Sequence, residues 1–447
     1  MLTRFPNPGV RSAQMWISLI LLAFAQDAAS HYEAGVEALR RKDADIAVVE
    51  LTTCLSLEPE RVDCAWELGW AHWLNGDWDK VVATWDGLGH PERDRHLPTA
   101  RGNLEVQKMV AASAEGAPPT LAREGAASSV RLRAVGDVML GTDFPAGYMP
   151  PNDGADLLDE VEDLLRDADL TFANLEGPLC DGGTTTKCGT GGNCYAFRSP
   201  TRYGDYVAQA GVDLASTANN HAEDFGVECR VQTEATLDQL GIAYSGRPGT
   251  IARVEHEGLR IAMIGFHTAP SGHHLNDHDT AMALIRTIAA EVDVLIVSFH
   301  GGAEGSKAIH VPRGRETFYG EDRGDLRVFA HGAVDNGADL ILGHGPHVPR
   351  AMEIYEDRLI AYSLGNFATY GRFNLSGYLG VGLVLEVVLD DQGRFVSGRI
   401  IPTEQLGQGV PAPDPEGRAV DLVRKLSEED FPSTGVVVAQ DGTLGPR

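Results

Sequence analysis

The sequence predicts a two-part protein in which an α-helical module precedes a layered α/β domain. Three observations predict it. Apolar residues recur at three- and four-residue spacing from 30 to about 97, the period of amphipathic helices. From 130 onward, short apolar strand candidates alternate with helical stretches. Between the two lies a run of small, polar, Pro/Gly-bearing residues without periodicity, which reads as a linker. A chain of 447 residues exceeds one average domain, so the division also fits its length.

The N-terminus carries Arg4 and Arg11, then an apolar run from Met15 that ends in the small-x-small triplet Ala23-Phe24-Ala25. This pattern reads as a secretory signal over 1–25. The run has 11 residues, short of the roughly 20 that a permanent spanning helix needs. The expected product is exported, whether periplasmic, secreted or held at the cell surface. Six cysteines suit an oxidising compartment. Cys54 and Cys64 form the expected local pair, while Cys180, Cys188, Cys194 and Cys229 allow three connectivities. The spacing of Cys180, Cys188 and Cys194 lacks C-x2-C, which weighs against zinc there.

Within the helical module, 30–108, Gly35 and Gly69 stand 34 residues apart, the period of a tetratricopeptide repeat. Ala47 and Pro59 occupy that repeat's small-residue and terminating-proline positions. Trp66, Trp70, Trp73, Trp78 and Trp85 either fill the helix interfaces or line a peptide-binding groove. The linker is expected over 109–129, the α/β domain over 130–405, and a C-terminal tail with one helix near 418–426 over 406–447. Inside the α/β domain, strands are expected at 130–135, 169–173, 212–217, 259–265, 292–299 and 338–342. Helices are expected near 155–166, 203–210, 227–240, 280–290 and 326–336. Later strands at 358–364, 380–389 and 395–402 suggest a second, more antiparallel sheet.

The charge balance, 37 basic against 64 acidic residues for a net −27, argues against nucleic acid as a partner. An anionic substrate remains compatible with a pocket whose potential a bound cation reverses.

Five short motifs follow five expected strands: Gly136-Asp137-Val-Met-Leu-Gly141, Asn174-Leu-Glu176-Gly177, Asn219-Asn220-His221, His300-Gly-Gly302 and Gly343-His344-Gly-Pro-His347. Ligands bind beyond the carboxyl ends of strands in α/β sheets, so these motifs should converge on one crevice. Carboxylate, amide and imidazole groups together suit a borderline divalent ion such as Mn, Fe or Zn, whereas calcium prefers oxygen alone. Glu304, four residues beyond His300, is a candidate ligand or substrate contact, as is His267 after its strand. Asn366 is placed to orient a ligand through its amide. Arg198 and Lys187, in the cysteine-bearing insertion, are candidates for holding an anion. The run His273-His274 with His278 is expected in an exposed loop.

The stretches Asp339-Leu-Ile-Leu-Gly-His-Gly-Pro-His347, Ile360-Ala-Tyr-Ser-Leu-Gly-Asn-Phe367, Ala173-Asn-Leu-Glu-Gly177 and Thr217-Ala-Asn-Asn-His221 resemble the CapA/PgsA-type poly-γ-glutamate capsule-synthesis family. That family is similar to calcineurin-like metallophosphoesterases. The resemblance implies a layered α/β sandwich of that type holding one or two divalent metals, with Asp137, Glu176, Asn220, His300, His344 and His347 as ligands. It also implies His221 as the acid that protonates a leaving group. The chain departs from the phosphoesterase pattern in three places. Met139 stands where Asp-x-His would put an imidazole, Glu176 replaces the bridging aspartate, and the last motif is His-x-x-His.

Two functions follow as expectations. The first is a metal-dependent hydrolase-type enzyme of capsule or surface-polymer synthesis, acting on a phosphoester or an anionic polymer such as poly-γ-glutamate. The second is a non-catalytic envelope component whose α/β domain binds polymer or partners and whose helical N-terminal module docks onto an envelope synthase partner.

Overall fold

The computed structural model describes residues 27–114, 127–188 and 195–447. The expected signal, 1–25, and Cys194 lie outside them. The chain divides into two compact units, Met1–Leu104 and Glu105–Arg447.

In the first unit, helices α1 (Ala28–Arg40), α2 (Ala44–Leu57), α3 (Val62–Asn75) and α4 (Trp78–Trp85) form two helical pairs, and the second pair begins 34 residues after the first. Side-chain volume explains the repeat. A Cβ at Gly35 would lie 2.5 Å from Leu51 Cγ, and one at Gly69 would lie 1.9 Å from Trp85 Nε1. Both glycines let the following helix approach, and Leu51 and Trp85 are equivalent positions of the repeat. The tryptophans fill the interior: Trp66 stacks on Trp85 with centroids 4.7 Å apart, and Trp85 Nε1 donates to Trp66 O at 3.1 Å. The disulfide Cys54–Cys64 clamps the α2–α3 turn as expected.

Helix α5 (Arg93–Ala114) runs past residue 108, so the linker does not begin at 109. The reason is burial, because Val106, Met109 and Val110 pack into a core of the second unit.

The second unit is a layered α/β sandwich built on two sheets. One sheet contains the parallel strands β1 (Ser129–Met139), β2 (Leu170–Leu175), β3 (Leu214–Ser216) and β4 (Ala243–Ser245). The other contains β5 (Ala252–His256), β6 (Leu259–His267), the short β7 (His273–His274) and β8 (Val294–His300). After a separate hairpin of β9 (Glu316–Phe318) and β10 (Glu321–Gly324), it continues with β11 (Leu340–His344), β12 (Met352–Tyr355) and β13 (Arg358–Ala361). Alternation along the strands builds the layers. Ile261, Met263, Val294, Ile296, Leu340 and Leu342 meet Leu132, Phe172 and Leu214 between the sheets. Ala262, Ile264, Leu295, Val297 and Ile341 face the opposite way, against α9 (His278–Ala289) and α10 (Leu326–Asp335). On the far side of the first sheet, Val135, Ala173 and Ala215 pack on α6 (Asp159–Arg166), α7 (Gly204–Gln209) and α8 (Gly226–Leu240).

Two expectations are corrected. The late strands do not form a sheet of their own: β14 (Asn366–Thr369) and β15 (Val381–Asp390) both pair with β1, and β16 (Phe395–Leu406) pairs with β15. The antiparallel β1–β15 register runs over seven residues, Ser129 to Val135, and completes the hydrogen bonding of a strand that would otherwise be an edge. Nor is 406–447 a tail. Strand β17 (Val410–Pro413) pairs with β16, and α11 (Arg418–Asp430) sends Val420 and Val423 into the inter-sheet core. Then β18 (Val437–Val438) and β19 (Thr443–Gly445) extend the first sheet.

Candidate metal centre

The five motifs fall at the carboxyl ends of β1, β2, β3, β8 and β11, and the elements aim their side chains between the two sheets. A β-bulge makes this possible for Asp137. Along β1, Val130, Leu132 and Ala134 face the inter-sheet core, whereas Val135 faces the helices. Strict alternation would give Asp137 the face of Val135. The register against β2 skips a residue between Val135 and Asp137, which turns Asp137 inward and leaves Val138 on the helix side. The skipped residue is Gly136, where a Cβ would lie 1.9 Å from Gly365 O. On the opposite wall, Gly345 has φ 112° and His347 φ 61°, so the loop after β11 turns back on itself and returns His347 to the crevice.

Asp137, Glu176 and His300 each offer a ligand atom within 4.8 Å of the others, and all three are buried. Asp137 Oδ1 accepts from Asn174 Nδ2 at 2.8 Å, and Asp137 Oδ2 lies 2.9 Å from His347 Nδ1. Glu176 Oε1 lies 3.3 Å from His300 Nε2 and 3.8 Å from both His221 Nε2 and His347 Nε2. His344 Nδ1 is 3.5 Å from Asp137 Oδ1, and neither ring nitrogen of His344 has a hydrogen-bond partner. Glu304 Oε2 lies 3.9 Å from His347 Nε2, and its other oxygen pairs with buried Arg323 at 3.0 Å.

The electrostatics are those of a cluster short of positive charge. Burial raises Glu176 well above the usual carboxylate range. Burial would raise Asp137 too, yet the imidazoles of His344 and His347 hold it well below that range. For His347 burial opposes the charge, but Glu176, Asp137 and Glu304 outweigh it and lift the imidazole to about 10. Burial keeps His300 neutral, well below its ordinary value. Glu176 Oε2, Asn220 Oδ1 and both nitrogens of His344 are buried without partners. Buried acceptors without a partner beside a carboxylate pair are expensive unless something bonds them, and a divalent cation would bond the carboxylates and one nitrogen of an imidazole. The donor set therefore fits the implied metal.

His221 is arranged differently. Its Nδ1 lies 2.7 Å from Asp224 Oδ2, which fixes the tautomer and points Nε2 toward Glu176. Lys187 Nζ binds the other oxygen of Asp224 at 2.7 Å, and the Phe197 ring packs on His221 at 4.3 Å. Lys187, expected to face an anion, thus serves the Asp224 carboxylate. Asp224 was legible only as an acid three residues beyond His221, and Arg323 gave no signal.

The other candidates divide. His267 is buried with its ring 5.7 Å from that of His300; its Nδ1 accepts from Ala269 N, and Nε2 has no partner. Asn366 is not open to substrate as a binding residue: it is fully buried, with Oδ1 3.1 Å from His347 Nδ1 and Nδ2 donating to Leu379 O. It orients His347. Arg198 does not join the cluster, because its guanidinium makes a two-point pair with Asp143 and donates to Gly182 O. The expected exposed histidine loop is also corrected. His273 is buried, and His273–His274 pair with β6 as β7. The insertion is anchored by the disulfide Cys180–Cys229.

Comparison with known proteins gives three findings. The family model described as bacterial capsule synthesis protein PGA_cap matches residues 131–370. The PGA biosynthesis protein CapA of Bacillus subtilis is 27% identical over 253 residues, covering 52% of this chain and 61% of that protein. The capsule biosynthesis protein CapA of Bacillus anthracis is 25% identical over 280 residues, covering 57% of this chain and 62% of its own. The chain thus spans slightly less than two thirds of the length of the curated relatives it matches. Among solved structures, a 5'-nucleotidase precursor from Thermus thermophilus aligns at 14% identity over 68% of this chain and 59% of that one, with a TM-score of 0.33. A superposition that loose carries no argument about activity.

Proposed function

Because the chain belongs to the bacterial capsule synthesis protein PGA_cap family, we propose that it is an exported, metal-dependent hydrolase-type component of capsule or surface-polymer synthesis. Its substrate would be a phosphoester or an amide-linked anionic polymer such as poly-γ-glutamate. The observation that carries this reading is the buried Asp137–Glu176–His300 group, with His344 unpartnered beside it and the His221–Asp224 pair aimed into it. Export is supported by the apolar N-terminal run and by the disulfides; among the described residues no helix is long and apolar enough to cross a membrane.

Asp137, Glu176, Asn220, His300, His344 and His347 would hold one or two divalent ions such as Mn, Fe or Zn. Such an ion lowers the pKa of bound water and neutralises charge on a phosphoryl or carbonyl oxygen. Asn366 and Asn174 orient His347 and Asp137 by hydrogen bonding. Burial lowers the His221 imidazole below its ordinary value while Asp224, accepting its Nδ1–H, pulls the other way; in the imidazolium form Nε2 would give its proton to a departing oxygen or nitrogen. Phe197 covers one face of that imidazole and limits its access to water.

A second reading, a polymer- or partner-binding component without turnover, draws on Met139. Where the phosphoesterase pattern has an imidazole, this chain buries a thioether whose Sδ lies 3.3 Å from Gly141 N.

Elemental analysis of residues 26–447, after loosely held ions are removed, tests the centre. About one or two equivalents should remain, and should fall in His300→Ala and His347→Ala. Asp224→Asn should keep the metal and lower turnover about 10²- to 10⁴-fold. A wild type that is metal-free and gains no thermal stability from Mn, Fe or Zn sinks the hydrolase reading; metal retained without turnover on any phosphoester or γ-glutamyl polymer favours the second.

A further inference from the structure

We propose that Arg372, held between Tyr148 and Tyr195, forms an anion-binding subsite at the mouth of the crevice and takes a carboxylate or phosphate group of the substrate beside the reacting one. The proposal deepens the proposed function and rests on it for the identity of the substrate.

Placement comes first. The segment that follows β14 carries Phe373, whose ring lies 5.3 Å from that of His347 and 5.1 Å from that of Phe197, itself 4.3 Å from His221. Phe373 therefore packs on His347 directly and stands one ring, Phe197, from His221; Arg372 is its chain neighbour. The loop backbone is fixed: Gly371 N donates to Gln408 O at 2.7 Å, and a Cβ at Gly371 would lie 3.1 Å from Tyr148 O. The guanidinium sits 5.2 Å from the Tyr148 ring centroid and 5.1 Å from that of Tyr195. Tyr195 is 48% exposed, so this pair stands at the surface.

Charge is the second argument. Arg198, Arg202, Arg323 and Arg350 are each paired with a carboxylate, which leaves them no net field. Arg372 has neither a carboxylate nor a hydrogen-bond acceptor among the described residues. Ring faces hold a guanidinium by cation–π attraction without neutralising it, so its N–H groups remain for a ligand. A planar guanidinium suits a bidentate bond to a carboxylate or a phosphate. In a chain of net charge −27, an anionic substrate is repelled by most of the surface. An uncompensated arginine beside the crevice supplies the local attraction that the overall charge denies.

The test is calorimetric titration of the whole protein, in wild-type, Arg372→Gln and Arg372→Lys forms, with a short γ-glutamyl oligomer and separately with inorganic phosphate. Each titration is run with and without EDTA at one ionic strength. Arg372→Gln should weaken binding about 10- to 100-fold, the worth of a hydrogen bond to a charged group, and leave metal content unchanged. Arg372→Lys should fall between, because an ammonium keeps the charge and loses the two-point geometry. A response to the oligomer alone assigns a carboxylate, and a response to phosphate alone assigns a phosphoryl group. Equal affinity of wild type and Arg372→Gln, or no binding of either anion by wild type, overturns the subsite. The EDTA arm separates the two readings: the Arg372 comparison stands without metal, and unchanged binding with metal retained removes the subsite while leaving the centre.

Discussion

His273 is held neutral by two backbone groups at once, with Nδ1 3.0 Å from Gly265 O and Nε2 accepting Gly249 N–H at 2.9 Å. Protonating Nε2 would set one N–H against another in a buried site. Burial accordingly lowers this imidazole from 6.5 to about 4, although the Gly265 carbonyl pulls the other way. Since the unfolded chain takes up the proton first as pH falls, the stabilisation is complete above about pH 6.5 and is lost toward pH 4. We expect urea unfolding to show a loss of about 2–3 kcal/mol from this group between about pH 7 and 4.5. That part of the slope should be missing in His273→Gln; an unchanged slope would refute the assignment. The same residue shows what sequence leaves open at this scale. Asp137, Glu176, His221, His300 and His344 were legible because each lies at or just beyond the carboxyl end of a strand, where side chains of several elements meet. The environment of His273, the Asp224 partner of His221 and the unpaired state of Arg372 depend on groups supplied by other elements, so local spacing could not rank them.

At the scale of elements, the β1 bulge is the device on which the centre depends. Gly136 absorbs the extra residue where the backbone meets Gly365, and this turns Asp137 to the inter-sheet face. Gly136→Ala should cost about 2–4 kcal/mol and lower metal content with it, because the Cβ forces β1 away from the Gly365 carbonyl. Thermal unfolding with elemental analysis checks both; a variant with wild-type melting and metal would refute the bulge argument. The helical repeat behaves similarly. Its period was readable from Gly35 and Gly69, but the equivalence of Leu51 and Trp85 was not. Only packing shows that both fill the gap left by a glycine.

Across the whole molecule, the C-terminal residues finish both cores. Val420 and Val423 enter the space between the sheets, while Leu422 and Leu426 pack on the other face of the second sheet. Each such side chain contributes about 1.5–3 kcal/mol, so together they rival the roughly 5–15 kcal/mol by which a domain is stable. A protein ending at residue 405 should therefore be insoluble or lack a cooperative transition, as solubility and near-UV circular dichroism would show. A soluble truncation that unfolds cooperatively would contradict this. By itself the sequence determined the two-part organisation, the main β/α alternation from 130 to 342, the Cys54–Cys64 pair, and the Asp137, Glu176 and His300 side chains that come together. These are properties of periodicity and of short motifs at strand ends, which act locally along the chain. Only the tertiary structure decided that β14 and β15 join β1, that residues 406–447 are core, that Arg198 is neutralised by Asp143, and that Arg372 is not neutralised. Strand pairing and charge compensation are contacts between residues far apart in sequence, and their free energy depends on which partner arrives, not on the residue alone.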